Sequence, residues 1–159
     1  MSKFERFFAG CILGCFCAAI SGCNGADVVP DPGPSAQDLR PAAHSIITAS
    51  LDSHDPRMRV KTIEVVADAR LRGYLPELTE LLMDEYVPVR FSAAVAVGDM
   101  EYRRARQTLA RLSKDREQSV RLAADYSLYK MGFRRSLETL IEATDSNDQD
   151  VRANAVLLL

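Results

Sequence analysis

An aliphatic residue followed by arginine returns at a fixed interval of 31 residues, as Met58-Arg59, Val89-Arg90, Val120-Arg121 and Val151-Arg152. A strict period of this size specifies a supersecondary unit that cannot bury its own apolar face and must stack on copies of itself. The chain is thereby restricted to an array whose neighbours form the core. Its function is expected in an extended surface rather than a closed catalytic pocket.

Aligning the units on the arginine separates fixed columns from drifting ones. Met58, Val89, Val120 and Val151 precede it, and Thr62, Ala93, Ala124 and Ala155 follow three residues on. Further along come Val65 and Val66, Ala96 and Val97, and Ser127 and Leu128, then Ala69, Met100 and Met131. Steps of three and four describe one stripe of an amphipathic helix. After a short break a second stripe begins with Leu71, Tyr102 and Phe133, continues with Leu75, Arg106 and Leu137, and reaches Leu78, Leu109 and Leu140, then Thr79, Ala110 and Ile141. Each unit is therefore a hairpin of two antiparallel helices. Asp55-Pro56 supplies an N-cap acceptor and a residue preset for a first turn, Pro76 opens a second helix, and Asp148 repeats the role of Asp55.

These columns resemble the HEAT-repeat family, most clearly in Ser-Val-Arg-Leu-Ala-Ala-Asp-Tyr-Ser-Leu from Ser119 to Leu128. The resemblance runs from about Ala43 to Leu159 and is weakest in the unit of Arg59, where Lys61 and Thr62 stand in place of small apolar residues. It implies an all-α solenoid with a helical cap over 43–53, units at 56–84, 87–115 and 118–146, and a partial unit at 148–159, together forming a domain over 42–159. It also implies a structural ladder of Arg59, Arg90, Arg121 and Arg152 with Asp84 and Asp115, pairing Asp84 with Arg90 and Asp115 with Arg121. Ser53 and Ser146 hold the matching acceptor positions in the outer units, where the ladder is expected to weaken.

Candidate partner-binding residues lie in two groups. On the second helices, which line the concave face in the solenoids this chain resembles, stand Glu77, Glu80 and Met83, then Gln107, Arg111 and Lys114, then Glu138, Glu142 and Asp145. The acidic, basic, acidic succession argues against a polyanion groove. The turns within units carry Arg70 and Arg72, Arg103, Arg104 and Arg106, and Arg134 and Arg135, whereas the turns between units carry Asp52, Asp55, Asp84, Glu85, Asp115, Glu117, Asp145, Asp148 and Asp150. Helix macrodipoles favour this segregation at about 0.3–1 kcal/mol per charge. The basic edge is also expected to face anionic lipid or an acidic partner.

The amino terminus carries a second signal. Lys3 and Arg6 precede an apolar run of 16 residues from Phe7 to Gly22, and Ile20-Ser21-Gly22-Cys23 resembles the bacterial lipobox. Residues 1–23 are therefore expected to be a lipoprotein signal peptide, being too short for the roughly 20 apolar residues of a membrane span. By that resemblance Cys23 becomes the first residue and carries the acyl chains, palmitate among them, that anchor the protein outside the cytoplasm. Asn24 in place of Asp favours the outer membrane or its periplasmic face, and an uncleaved anchor is the competing reading. Residues 24–41 hold four of the seven prolines and read as a disordered tether spanning at most about 60 Å.

All four cysteines lie at or before Cys23, leaving the repeats without disulfide or thiolate chemistry. His44 and His54 are the only histidines and lack partners at ligand spacing, so no metal, cofactor or catalytic residue is expected. Asp125 reads as an exposed helical residue. Without residues 1–23 the chain holds 18 Lys and Arg against 21 Asp and Glu, a balance that does not call for nucleic acid. A binding scaffold for proteins is the favoured function. The alternative, a modifying factor acting on a partner, follows from HEAT-like proteins that resemble chromophore lyases. The end at Val-Leu-Leu-Leu reads as a truncated array, or as a face for self-association.

Overall fold

The computed structural model describes residues 36–159. The expected signal peptide, the lipidation of Cys23 and residues 24–35 of the expected tether lie outside them. The described residues form eight α-helices and no strand, as an array of helical hairpins requires. They are α1 (Ala36–Leu51), α2 (Pro56–Asp68), α3 (Leu75–Glu80), α4 (Val87–Asp99), α5 (Arg106–Leu112), α6 (Gln118–Lys130), α7 (Arg135–Ala143) and α8 (Gln149–Leu158). α2, α4, α6 and α8 are the first arms of successive units, and α3, α5 and α7 the second arms. α3 is prolonged by a 3-10 turn over Leu81–Met83, and the turns Arg72–Tyr74 and Arg103–Ala105 are also 3-10. No described helix is long and apolar enough to cross a membrane.

Local chemistry sets the helix starts. The Asp55 carboxylate accepts from the Arg57 N–H at 2.9 Å, with Pro56 following, and Asp148 accepts from Asp150 N–H at 2.9 Å. Each satisfies a donor that the helix cannot. The first arms end alike. Leu71, Tyr102 and Phe133 donate to Val66, Val97 and Leu128 five residues back, while Arg70, Glu101 and Gly132 donate to Ala67, Gly98 and Tyr129. These are Schellman closures, with φ of 49°, 49° and 99° at Arg70, Glu101 and Gly132.

The core runs the length of the stack. Val66, Val97 and Leu128 are buried between arms, as are Leu78, Leu109 and Leu140. Burying a side chain of this kind contributes about 1.5–3 kcal/mol. α4 and α6 approach closely at Gly98, where a Cβ would lie 2.5 Å from Ser127 Oγ and 2.7 Å from its Cα. Ser127 is fully buried there, with its hydroxyl between the carbonyls of Ala94 (2.6 Å) and Ala123 (2.7 Å).

Three expectations are corrected. The leading helix begins at Ala36, not at 43, and encloses Pro41, so residues 36–41 belong to it and not to a tether. Pro41 forfeits only the bond to Gln37 near the helix start, and Ala36, Gln37, Leu39 and Arg40 favour helix. Met58 and Val65, read as core, are 50% and 56% exposed, and Ala69 is exposed too. In the third unit Ser127, in the Val65 column, packs on Ala94 and Gly98 of the preceding first arm, whereas α2 is preceded only by α1 among the described residues. Ala110 and Ile141, read as part of the second stripe, are also exposed.

Candidate binding surfaces

The arginine column is held by one repeated geometry. Nη1 of Arg59, Arg90, Arg121 and Arg152 donates to the carbonyl six residues back, on Ser53 (2.5 Å), Asp84 (2.9 Å), Asp115 (2.8 Å) and Ser146 (2.6 Å). The carboxylate partner lies in the other direction. Arg59 Nη2 meets Asp84 at 2.9 Å, and Arg90 grips Asp115 with two bonds of 2.9 and 3.0 Å. The expected pairs, Asp84 with Arg90 and Asp115 with Arg121, are thus displaced by one repeat. All four arginines tie their own inter-unit turn by a carbonyl, and Arg59 and Arg90 also reach forward 25 residues for a carboxylate. The acids also cap their turns, since Asp84 accepts from Tyr86 N–H at 2.8 Å and Asp115 from Glu117 N–H at 2.9 Å.

Burial raises the Asp115 carboxyl, but the hydrogen bonds from Arg90 and the Glu117 amide and the nearby arginine charge outweigh it. The group is left below its ordinary value. Arg59 and Asp84 are each only 8% exposed at the side chain, and Arg59 also lies 5.4 Å from the Tyr86 ring centre. This is the setting of a structural tie. A lone ligand contact would not recur at the same register.

On the second arms, Glu80, Arg111 and Glu142 recur at one register and are exposed, as are Gln107, Lys114 and Glu138. Glu77 is not free in this way, because it is half-buried and its Oε2 is enclosed without a hydrogen-bond partner among the described residues. On the turn edge, Arg103, Arg104, Arg134 and Arg135 are all exposed. Two neighbours serve structure instead. Arg72 donates to the Met100 carbonyl at 2.7 Å, closing the end of α4, and Arg106 stacks 4.4 Å from the Phe133 ring centre.

Two further features lie between packed arms. Between α2 and α4 a cavity of about 380 Å³ has apolar walls of Ile63, Phe91 and Val95 and an acidic rim of Glu64, Asp68 and Asp99. At its side Tyr126 Oη donates to Asp99 Oδ1. Burial, then the bond to Asp99 and its charge, raise the Tyr126 hydroxyl so that it stays protonated.

The second feature is Asp125. It is half-buried rather than exposed, in a cavity of about 370 Å³ that it shares with Arg121, Thr139, Glu142 and Ser146. Burial raises its carboxyl, and the Ser136 hydroxyl and the Arg121 charge pull the other way. The signal was present in the register, since Asp125 falls in the column of Ile63 and Ala94, both buried. His44 Nδ1 lies 2.8 Å from Tyr74 Oη at the surface. Among the described residues no cluster of His, Cys, Asp or Glu has metal-binding geometry.

A family model described as HEAT repeats matches residues 43–128 and, in a second register, residues 75–159. No curated protein matches the sequence.

Proposed function

The chain belongs to the HEAT-repeat family, and from that premise we propose that it is a lipid-anchored scaffold in the cell envelope, binding proteins and catalysing nothing itself. The helical repeat array is of a kind that often mediates protein interaction. The observation that carries the reading is the row of exposed charges at constant register, Glu80, Arg111 and Glu142, beside the exposed arginine edge of Arg103, Arg104, Arg134 and Arg135. A rigid array that presents charges at fixed spacing recognises an extended partner by electrostatic complementarity. Cys23, in the lipobox-like Ile20-Ser21-Gly22-Cys23, supports the anchor.

Crosslinking of the membrane-anchored protein followed by mass spectrometry tests the scaffold. Recurrent protein partners, diminished by reversing the charge of Arg103, Arg104, Arg134 and Arg135 together, are the expected result. Unchanged capture removes the arginine edge from the reading, and a partner returned covalently altered replaces the scaffold by a modifying factor. The anchor is tested by Cys23→Ser, which should abolish palmitate incorporation and release the protein from the membrane fraction. Retention with undiminished labelling rejects lipidation at this residue.

A further inference from the structure

The third unit breaks the ladder in a way that leaves a binding site. Arg121 adopts the posture of Arg90, with Nη1 on the carbonyls of Asp115 (2.8 Å) and Arg116 (3.0 Å), just as Arg90 Nη1 binds those of Asp84 (2.9 Å) and Glu85 (3.1 Å). Arg90 then uses Nε and Nη2 to hold the Asp115 carboxylate. The residue equivalent to Asp115 for Arg121 is Ser146. Its hydroxyl keeps the turn by accepting from Asp148 N–H at 3.2 Å, yet it brings no carboxylate to the guanidinium. Among the described residues Arg121 makes no ion pair within 4.0 Å, and Asp148 is occupied in capping the Asp150 and Val151 amides.

Arg121 borders the cavity of about 370 Å³ between α6 and α7, where Ser113, Gln118 and Thr139 add polar groups. Asp125 and Glu142 stand on the same walls. The cavity thus offers one planar cation built for bidentate pairing and, beside it, two acids. A plain anion would satisfy the first and be repelled by the second. A plain cation meets the reverse conflict. Its complement is a pair of opposite charges held close together, and its volume suits side chains rather than a folded surface.

We propose that this cavity docks a partner segment in which an acidic side chain stands next to a basic one. The acid completes the Arg121 rung as Asp115 completes that of Arg90, and the base meets Asp125 and Glu142. This deepens the scaffold reading and rests on it.

The blocked dipeptide acetyl-Glu-Lys-amide, titrated into the full-length chain while the Arg121 Nε–Hε resonance is followed, tests the site. A saturable shift is expected, with acetyl-Gln-Lys-amide and acetate each binding about tenfold more weakly. Ser146→Asp should install the missing rung, raise the melting temperature and abolish the dipeptide response. Because it copies the sequence used at Asp84 and Asp115, it tests the site without threatening the fold, and Arg121→Gln, which lacks the reporting resonance, should abolish the heat of dipeptide binding in titration calorimetry. An unmoved resonance, or an equal response in Ser146→Asp, overturns the proposal. Acetate binding as tightly as the dipeptide overturns the partner segment and assigns the cavity to a free small acid. Partners captured equally by wild type and Ser146→Asp sink the cavity and leave the scaffold standing, whereas absence of any captured partner sinks the scaffold.

Discussion

Arg90 and Arg121 occupy one column of the repeat and share one contact with the backbone, but they differ in what removal should cost. Arg90→Ala strands the Asp115 carboxylate in a partly buried site, and breaking such a pair from one side costs about 3 kcal/mol. Arg121→Ala removes carbonyl contacts and no ion pair, so its cost should stay below about 1 kcal/mol. Chemical denaturation of the two variants checks the difference. The pH dependence has a definite sign. Asp115 is held below the ordinary aspartate value of 3.8, so its contribution is present above the unfolded pKa and fades as pH falls through the folded one. The deficit of Arg90→Ala should therefore shrink below about pH 4. Asp125 behaves oppositely. Its carboxyl is raised by burial, so its favourable contribution exists only at low pH and is lost as pH rises through the folded pKa. Asp125→Ala, which restores the kind of residue found at Ile63 and Ala94, should stabilise the protein by about 1 kcal/mol at pH 7. That gain should shrink as pH falls and vanish only below about pH 3, where the acid is neutral in both states, as denaturation at the two pH values will show.

The element that repeats most faithfully is the closure of the first arm, and its chemistry does not repeat. Arg70, Glu101 and Gly132 all take positive φ, yet only Gly132 does so without a Cβ in the way. Arg70→Gly and Glu101→Gly should each raise stability by about 1 kcal/mol, and Gly132→Ala should lower it by a similar amount, measured as shifts in the denaturation midpoint. The same position shows why part of the fold escapes a reading by residue type. Gly132 advertises a left-handed turn, whereas Arg70 and Glu101 do not, because tertiary packing of Leu71 and Tyr102 imposes the turn on residues that would not choose it. The hairpin arms are legible because burial follows the three-and-four spacing within an arm, as at Val89, Ala93, Ala96 and Met100. The ladder was half legible. Register reveals which residues are columns, but a six-residue step and a 25-residue step both bring Asp84 near an arginine, and only the fold shows that the first is bridged by a carbonyl. Asp125 taken alone reads as an exposed helical residue, while its column of Ile63 and Ala94 marks a site that faces the core.

Across the whole molecule each helix is secured by its neighbours, so an identical lesion should have consequences that depend on its place in the stack. Leu109, on α5, and Leu51, on α1, are both fully enclosed leucines in the same core. Leu109 lies in the middle unit, with α3 and α7 as the equivalent arms on either side. Leu51 closes the leading helix, which packs on α2. Each truncation to alanine removes about 3 kcal/mol of packing locally. In an array whose stability is a sum of unit and interface contributions, the middle lesion uncouples both sides, whereas the terminal lesion opens mainly its own helix. Amide hydrogen exchange separates these outcomes. Leu51→Ala should accelerate exchange in α1 by about a hundredfold while leaving α6 within a few-fold of wild type, and Leu109→Ala should accelerate α4 and α6 together. Equal acceleration throughout both variants would show that the described residues open as one cooperative block, and the array would then not divide into separately opening repeats.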